Sequence, residues 1–279
     1  MKAAVVQEIG APFSIEEVQI AQPIGSEVLI DVQASGLCHS DLSVQRYGMG
    51  TAMPAVLGHE VAGIVTAVGP DVIEIAVGDH VVGSLIQACG QCLHCLDGEL
   101  VNCEHPERTE RTADQPPRLS LNGEAVTQGM ALGGFAQQAL IHERQLAKVP
   151  DDMPWAQAAL IGCGVLTGAG AVLNTANVRQ GETVVIVGAG GVGLNAISGA
   201  LVAGATRIIV TDIEDGKLER AKRFGATDVI NSAKVDPVEA VKELTGGGAQ
   251  HVFDFVGAGP VLAQSLAMLG QGGTLYLIG

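Results

Sequence analysis

The stretch Thr183–Asp212 constrains the fold of this chain more than any other. It begins with a short β-branched apolar run, Thr183–Val187, which is typical of a buried strand. The letters GAGGVG follow at once and fit the pattern G-x-G-x-x-G. We expect a helix over Leu194–Ala203 and a second strand over Arg207–Thr211, directly before Asp212. A glycine pattern alone is weak evidence, but strand, turn, helix, strand and acid in one unit indicate a dinucleotide-binding fold.

The glycines of this turn have separate predicted roles. Gly188 allows the tight turn, Gly190 lets a pyrophosphate approach the backbone, and Gly193 lets helix and strand pack closely. The helix N-terminus, with Gly191 in the same turn, then offers free amide groups to the phosphates. Asp212 stands where an acid accepts the ribose hydroxyls of NAD and repels a 2′-phosphate. We therefore expect NAD rather than NADP.

Bulk properties limit the possible functions. The length of 279 residues suits two domains, and a formal charge of −15 argues against nucleic acid or an anionic membrane as a partner. We expect no apolar run of transmembrane length, and the N-terminus lacks the long apolar region of a signal peptide. A cytoplasmic location with reduced thiols follows. The six cysteines then indicate metal binding or catalysis rather than disulfides.

The sequence pattern divides the chain into two parts. Residues 1–150 are rich in predicted strands, among them Val28–Ala34, Val61–Val68 and His80–Ile86, and the polar segment 104–134 is expected to be a long loop or lobe. After residue 157, helix and strand patterns alternate. The predicted helices there are Asp215–Phe224, Pro237–Leu244 and Val261–Leu269, and the further strands are Asp228–Asn231, His251–Val256 and Thr274–Ile278. This order predicts a doubly wound parallel sheet.

The chain stops directly after the fifth strand of that predicted sheet. Sheets of the dinucleotide-binding type normally have a sixth strand. We expect the sequence to be incomplete at its C-terminus, with a shortened natural variant as the alternative.

Four cysteines lie close together in the pattern C-x2-C-x2-C-x7-C, at Cys89, Cys92, Cys95 and Cys103. Four thiolates at such spacing can surround one tetrahedral zinc ion and fill every ligand position, which makes the site structural. An iron–sulfur cluster and two disulfides are the alternatives. We expect the nearby His94 to be exposed and not a ligand.

Cys38, His59 and Cys163 could each be an ordinary buried residue, but their surroundings indicate otherwise. The pattern G-H-E-x-x-G-x5-G-x-x-V, which begins at Gly58, resembles the zinc signature of the medium-chain alcohol dehydrogenases. The cysteine spacing at 89–103 is similar to their structural zinc lobe, and residues 161–168 resemble the segment of their third ligand. The long segment 104–134 resembles the longer-looped branch of this zinc-dependent family.

The resemblance implies a fold and two zinc sites. It implies a GroES-like, β-rich catalytic domain over 1–164, followed by an NAD-binding Rossmann domain over 165–279, with the active site in the cleft between them. Cys38, His59 and Cys163 would hold a catalytic zinc with a fourth position for water or alcohol. The cysteines at 89–103 would hold a second, structural zinc.

The resemblance also assigns supporting residues. Ser40 would start the proton relay, Asp41 would orient His59, and Glu60 would be the acid beside the zinc. His39 would contact the cofactor pyrophosphate. The further cofactor contacts would be Asp212 and Lys217 at the adenosine ribose and Thr167 and Val192 at the nicotinamide. Some relatives have a histidine three residues after the relay hydroxyl, where this chain has Ser43, so proton exit would use His39, water or the cofactor ribose.

The expected function is hydride transfer between a primary or secondary alcohol and NAD. Oxidation of S-(hydroxymethyl)glutathione is an alternative within the same family, and an inactive zinc- and NAD-binding fragment is an alternative of another class. A zinc-independent quinone reductase is disfavoured because the zinc ligands are present. We expect Met49 and Met53 in the substrate pocket and a homo-oligomer, dimer or tetramer, in the full-length form.

Overall fold

A computed structural model describes all 279 residues. The chain divides into two compact units, Met1–Cys163 and Gly164–Gly279. This division falls one residue before the boundary expected between 1–164 and 165–279.

The first unit consists of short strands and three α-helices. Its strands are β1 (Lys2–Val6), β2 (Phe13–Glu17), β3 (Gln19–Ile20), β4 (Glu27–Gly36), β5 (Ala55–Val56), β6 (Glu60–Val68), β7 (His80–Gly83), β8 (Leu119–Leu121), β9 (Glu124–Gln128), β10 (Gln138–His142) and β11 (Leu146–Lys148). Its helices are α1 (His39–Tyr47), α2 (Leu93–Leu96) and α3 (Trp155–Leu160). The strands form a six-stranded sheet, in the order β2-β1-β5-β9-β8-β3, and a five-stranded sheet, in the order β10-β4-β6-β7-β11.

The antiparallel pair of β4 and β6 is the centre of the five-stranded sheet. Val28 and Ile30 of β4 pack with Val61 and Val65 of β6 in one buried core cluster. The pairing of the two strands ends with Gly36 opposite Glu60. The loop that leaves β4 and the loop that enters β6 therefore lie side by side, and these loops carry Cys38 and His59.

Segment 104–134, expected to be a loop or lobe, contains a β-hairpin. β8 and β9 are antiparallel, and their turn residues Asn122 and Gly123 have φ angles of 53° and 88°. Asn-Gly is the preferred pair for such a two-residue turn because both positions need positive φ. Leu119 and Val126 pack into a core cluster. The polar residues around the hairpin hid this signal in the sequence.

A buried ion network ties the same segment to the start of β4. The Glu27 carboxylate accepts hydrogen bonds from Arg111 Nε at 2.8 Å and Arg118 Nε at 2.7 Å. Both arginines also donate to backbone carbonyl oxygens. Burial alone would raise the pKa of Glu27, but hydrogen bonds from Arg111, the Ile24 amide and Arg118 lower it overall.

The second unit is the predicted doubly wound parallel sheet. Its strands are β12 (Thr183–Val187), β13 (Arg207–Asp212), β14 (Asp228–Asn231), β15 (Ala249–Asp254) and β16 (Leu269–Leu277). Its helices are α4 (Leu166–Gly170), α5 (Gly191–Ala203), α6 (Asp215–Phe224), α7 (Pro237–Thr245) and α8 (Gly259–Ala267). The strand order is β14-β13-β12-β15-β16, and every pairing is parallel.

Several predicted boundaries in this unit are wrong. β15 spans Ala249–Asp254 rather than His251–Val256. α5 begins at Gly191 and not at Leu194, because Gly190 already serves as its N-cap. Leu269 was expected to end a helix but begins β16, where it pairs with Ala249. The three glycines that follow Leu269 favour a departure from helix.

One helical segment, Trp155–Thr175, has 21 residues and is long and apolar enough to cross a membrane by length and composition alone. The expectation that no apolar run reaches this length is therefore wrong. Core helices of soluble proteins also meet this criterion. In this chain Ala158 and Ala159 are buried against Ala62 and Val82, and Val172 is buried in the core of the second unit.

Glu27→Gln should destabilise the chain, since two buried guanidinium groups lose their anion. We expect the free energy of unfolding at neutral pH to fall by about 3–5 kcal/mol, measured by urea denaturation. The folded pKa of Glu27 lies below its unfolded value, so this stabilisation is full above about pH 4.3 and is lost as the pH falls through the folded pKa. The exposed Glu124 gives the control Glu124→Gln, and equal destabilisation by both variants would contradict the role of Glu27.

Candidate functional site

Cys38, His59 and Cys163 come together in the first unit and are called here the Cys2His cluster. Cys38 follows β4 and is the extended N-cap residue of α1. His59 directly precedes β6, and Cys163 lies in the π-helical turn Ile161–Val165 that continues α3. The potential ligand atoms of the three residues all lie within 4.8 Å of one another. The fold thus assembles three residues that the sequence separates widely.

Asp41 holds the ring of His59. The Nδ1 atom of His59 lies 3.0 Å from Oδ1 of Asp41, and both side chains are buried. The same carboxylate accepts hydrogen bonds from the Cys38 amide at 3.2 Å and the Gly58 amide at 3.1 Å. The other ring nitrogen of His59, Nε2, is buried without a hydrogen-bond partner. Such an atom is costly unless something binds it, so a metal ion between Nε2 and the two sulfur atoms fits this site.

The charges within the cluster also suit a metal. The adjacent Cys163 thiol and His59 ring lower the pKa of Cys38 to about 3. Burial alone would lower the pKa of His59, but the Asp41 carboxylate and the nearby Cys38 sulfur raise the pKa to about 10. Zinc binds thiolate and neutral imidazole, so protons compete with the metal for these ligands, and zinc affinity falls as the solution becomes more acidic.

Close backbone contacts fix the residues on either side of His59. Gly58 has a φ of +96°, and a Cβ atom there would lie 2.7 Å from the Phe135 amide nitrogen. Glu60 is buried, and a Cβ atom on Gly36 would overlap its carboxylate. Glycine at positions 58 and 36 therefore lets His59 and Glu60 enter the sheet at this point.

A second pair of glycines sets the position of Cys163. A Cβ atom on Gly162 would lie 1.9 Å from the carbonyl oxygen of Gly83, at the end of β7. At the other end of this helix, Trp155 packs on His80 with ring centroids 4.4 Å apart. The rise from Trp155 to Gly162 is about 10 Å, and the strand from His80 to Gly83 also spans about 10 Å. The helix thus follows β7 along its whole length, and this contact fixes Cys163.

A cavity of 800 Å³ lies beside α1. Ser40 and Ser43 lie in its wall, and the Ser40 amide and hydroxyl also hydrogen-bond to the Cys38 sulfur. The other wall residues are Val44, Met49, Gly50, Thr51, Ala52, Gln87, Glu110, Thr127, Gln128, Met130 and Ala131. Segment 104–134 therefore contributes to this wall through Glu110 and its neighbours.

Only one of the two methionines expected in the pocket lines this cavity. Met49 does so, whereas Met53 packs against the buried core residues Val6 and Leu57. His39, the first residue of α1, is exposed.

The four-cysteine cluster forms as the spacing predicts. The potential ligand atoms of Cys89, Cys92, Cys95 and Cys103 all lie within 4.8 Å of one another. The Cys89 sulfur accepts hydrogen bonds from the Gln91 and Cys92 amides, at 3.5 and 3.4 Å, which lower its pKa to about 6. All six cysteines are free thiols, so the structure disagrees with the disulfide alternative. Four close sulfur atoms with amide donors suit one tetrahedral zinc ion.

His94 is not part of the four-cysteine cluster. Its Nδ1 atom instead lies 3.0 Å from the Glu99 carboxylate, and the ring is 43% exposed. This agrees with the expected exposure of His94.

The glycine turn of the second unit has the geometry of a phosphate cradle. Gly188 has a φ of +95°, which favours glycine. A Cβ atom on Gly190 or Gly191 would meet no atom of the chain within 4 Å, so the space above the α5 N-terminus is open. A Cβ atom on Gly193 would lie 2.0 Å from the Gly188 carbonyl oxygen. The residues fit a bound pyrophosphate at this helix N-terminus.

Asp212 lies beside the turn, at the carboxyl end of β13. Its carboxylate accepts hydrogen bonds from the Ala189 amide at 2.9 Å and the Glu214 amide at 3.0 Å. Asp212, Lys217 and Gly188 line one cavity of 270 Å³. The Lys217 ammonium group pairs with Glu214 at 2.7 Å.

Thr167 and Val192 lie on α4 and α5, two helices that pack against each other. Gly168, which follows Thr167 in α4, packs on α5, and a Cβ atom there would lie 2.2 Å from the Val192 carbonyl oxygen. The structure thus groups the expected nicotinamide contacts beside the glycine turn.

Comparison with known proteins decides the family. The model of the alcohol dehydrogenase GroES-like domain matches residues 25–151, and that of the zinc-binding dehydrogenases matches residues 191–279. S-(hydroxymethyl)glutathione dehydrogenase of Synechocystis sp. is 38% identical over 285 residues, which cover 100% of this chain and 77% of that protein. The chain belongs to the zinc-dependent medium-chain alcohol dehydrogenase family.

Solved structures agree with this family assignment. An alcohol dehydrogenase zinc-binding domain protein from Burkholderia ambifaria is 43% identical, with a TM-score of 0.92 over 100% of this chain and 76% of that chain. Benzyl alcohol dehydrogenase from Acinetobacter calcoaceticus is 40% identical, with a TM-score of 0.90 over 100% of this chain and 76% of that chain. These matches confirm the predicted GroES-like and Rossmann folds of a zinc-dependent alcohol dehydrogenase.

Sequence reasoning missed the contact that positions Cys163 in this dehydrogenase. The signal was present, because Gly162 and Gly164 flank Cys163 in a helical stretch where glycine is unfavourable. Nothing in the local pattern, however, indicates that Gly162 meets Gly83 across the fold.

Gly162→Ala should move Cys163 out of the Cys2His cluster, because the added methyl group would overlap the Gly83 carbonyl oxygen. We expect the zinc bound per chain to fall by about one ion, measured by atomic absorption on folded protein. Gly170→Ala is the matched control, since a Cβ atom there meets nothing within 4 Å, and its zinc content should not change. Full zinc content in the Gly162 variant would contradict this positioning role.

Proposed function

We propose that this chain is an NAD-dependent zinc alcohol dehydrogenase that interconverts an alcohol and its aldehyde or ketone. The observation that carries the proposal is the buried, unpartnered Nε2 atom of His59 beside the thiols of Cys38 and Cys163. Two cysteines and one histidine are the known ligand set of the catalytic zinc in alcohol dehydrogenase, so the set itself is not new. The first unit also has a cavity next to this cluster, with Ser40 in its wall.

We propose two zinc ions per chain. One is held by the Cys2His cluster, and when bound it acts as a Lewis acid that lowers the pKa of an alcohol hydroxyl or polarises a carbonyl group. The other is held by the four-cysteine cluster and is structural, since the chain itself supplies all four ligands.

The residues around the Cys2His cluster have separate roles. Asp41 fixes the tautomer of His59, because its hydrogen bond to Nδ1 leaves Nε2 for the metal. The Ser40 hydroxyl takes the proton that the alcohol loses and passes it on through His39 or water. Glu60 is the buried acid beside the metal ligands, and its carboxyl group contributes to the electrostatic field at the metal site.

The second unit binds NAD. Its glycine turn, Gly188 to Gly193, receives the pyrophosphate, and Asp212 with Lys217 contacts the adenosine ribose. When bound, NAD would accept a hydride from the alcohol carbon, and Thr167 and Val192 would line the site of its nicotinamide. The carboxylate of Asp212 repels a 2′-phosphate, so NAD is preferred over NADP.

The charge of the cavity wall favours an uncharged alcohol. Glu110 is the only ionisable residue among those that line the 800 Å³ cavity. A glutathione adduct carries carboxylates, which a wall with one carboxylate and no cation would repel. Oxidation of S-(hydroxymethyl)glutathione is the second candidate, because a relative of that name is 38% identical to this chain.

A cytoplasmic location and assembly into a homo-oligomer complete the proposal. The six free thiols suit the reducing cytoplasm. Assembly into a homo-oligomer is proposed from the resemblance to the family, whose members commonly dimerise through their nucleotide-binding domain.

The proposed function is tested by zinc analysis together with NADH formation from a panel of alcohols. We expect about two zinc ions per chain and NADH formation that depends on both alcohol and zinc. Bound zinc and bound NAD without turnover of any alcohol would support an inactive binding protein instead.

Glu110→Lys should change substrate preference, because it reverses the one charge on the cavity wall. We expect kcat/KM for S-(hydroxymethyl)glutathione to rise about 10-fold relative to benzyl alcohol, equivalent to about 1.4 kcal/mol. The control Glu104→Lys makes the same charge change at an exposed residue that does not line the cavity. An unchanged ratio of the two kcat/KM values would contradict the location of the substrate in this cavity.

A further inference from the structure

Residues 89–108 surround the four-cysteine cluster and are called here the lobe. The lobe carries a large negative charge once zinc is bound. One divalent cation with four thiolates has a net charge of about −2. The same lobe also carries the acidic residues Asp97, Glu99, Glu104 and Glu107. A metal centre of this charge is stabilised by a fixed cation close to its ligands.

Arg144 is placed to be that cation. A Cβ atom on Gly90 would lie 2.1 Å from Cζ and 2.3 Å from Nη1 of Arg144, so the guanidinium group of this exposed arginine lies directly against Gly90. Gly90 lies in the first turn of the lobe, between Cys89 and Cys92. Its amide donates a hydrogen bond to the Cys95 sulfur. The guanidinium group therefore lies against the backbone that carries and binds the cysteine ligands.

The backbone of Arg144 belongs to the sheet and not to the lobe. It lies in the short helical turn Glu143–Gln145 between β10 and β11. The buried Gln145 accepts a hydrogen bond from the Ser84 amide at 2.7 Å, and its side chain donates to the Ser84 carbonyl oxygen at 3.1 Å. Arg144 thus reaches from a fixed turn of the sheet to the zinc lobe.

Other nearby cations are engaged elsewhere or belong to the lobe. Arg111 and Arg118 pair with Glu27, and Lys148 pairs with Asp79 at 3.1 Å. Arg108 contacts Gln91 at 3.4 Å, but it lies within the lobe itself and cannot tie the lobe to the sheet.

We propose that Arg144 is a positioning residue for the zinc of the four-cysteine cluster. Its guanidinium group neutralises part of the negative charge of the centre and holds the first turn of the lobe on the sheet. Loss of Arg144 then speeds zinc release from this cluster. The inference rests on the structural zinc proposed above.

The test is the rate at which the zinc-loaded enzyme releases zinc to a colorimetric chelator, at low and at high salt. A Cys163→Ser variant identifies the part of the release that comes from the Cys2His cluster. Arg144→Gln should speed release from the four-cysteine cluster about 10-fold. The difference should shrink at high salt, because salt screens the interaction between charges, whereas a packing role would not depend on salt. Arg144→Lys should restore part of the wild-type rate.

Lys148→Gln is the matched control, since it removes the same charge from the adjacent strand β11 without contact with the lobe. If Arg144→Gln released zinc at the wild-type rate, or if Lys148→Gln sped zinc release equally, the inference would be overturned. Two zinc ions per wild-type chain would still uphold the proposed metal content. A wild-type enzyme without zinc at the four-cysteine cluster would overturn both.

Discussion

The hydrogen bond between Asp41 and His59 is the interaction on which the rest of the Cys2His cluster depends. The carboxylate fixes the ring through Nδ1 and leaves Nε2 buried beside two sulfur atoms. It also accepts hydrogen bonds from the Cys38 and Gly58 amides. The buried Asp41 side chain therefore holds the loop after β4 close to the loop before β6, so that Cys38 and His59 can bind the same metal ion.

The proposed metal ligands are held in place on the sheet and the helix by close backbone contacts that only glycine permits. Gly58 lies against Phe135, and Gly162 lies against the carbonyl oxygen of Gly83. The same device recurs at the nucleotide turn, where Gly193 lies against the carbonyl oxygen of Gly188. Close backbone packing therefore acts together with the hydrogen bonds of Asp41 to place the site residues of this dehydrogenase.

The features predictable from sequence are those encoded in local patterns. The glycine turn, the cysteine spacing and helix α6 at Asp215–Phe224 all follow from residues near one another in the chain. The unpredicted features depend on residues far apart in sequence, such as Gly162 on Gly83 and Arg144 on Gly90. The hairpin at Asn122 had a local signal, but its polar surroundings resemble a loop.

We propose that Cys38, His59 and Cys163 share one zinc ion through Nε2 of His59. Anomalous diffraction at the zinc edge, on crystals of the purified chain, tests this most directly. We expect one peak among these three side chains, next to Nε2, and a second peak among the four cysteines at 89–103. A map with a peak only among the four cysteines would contradict it.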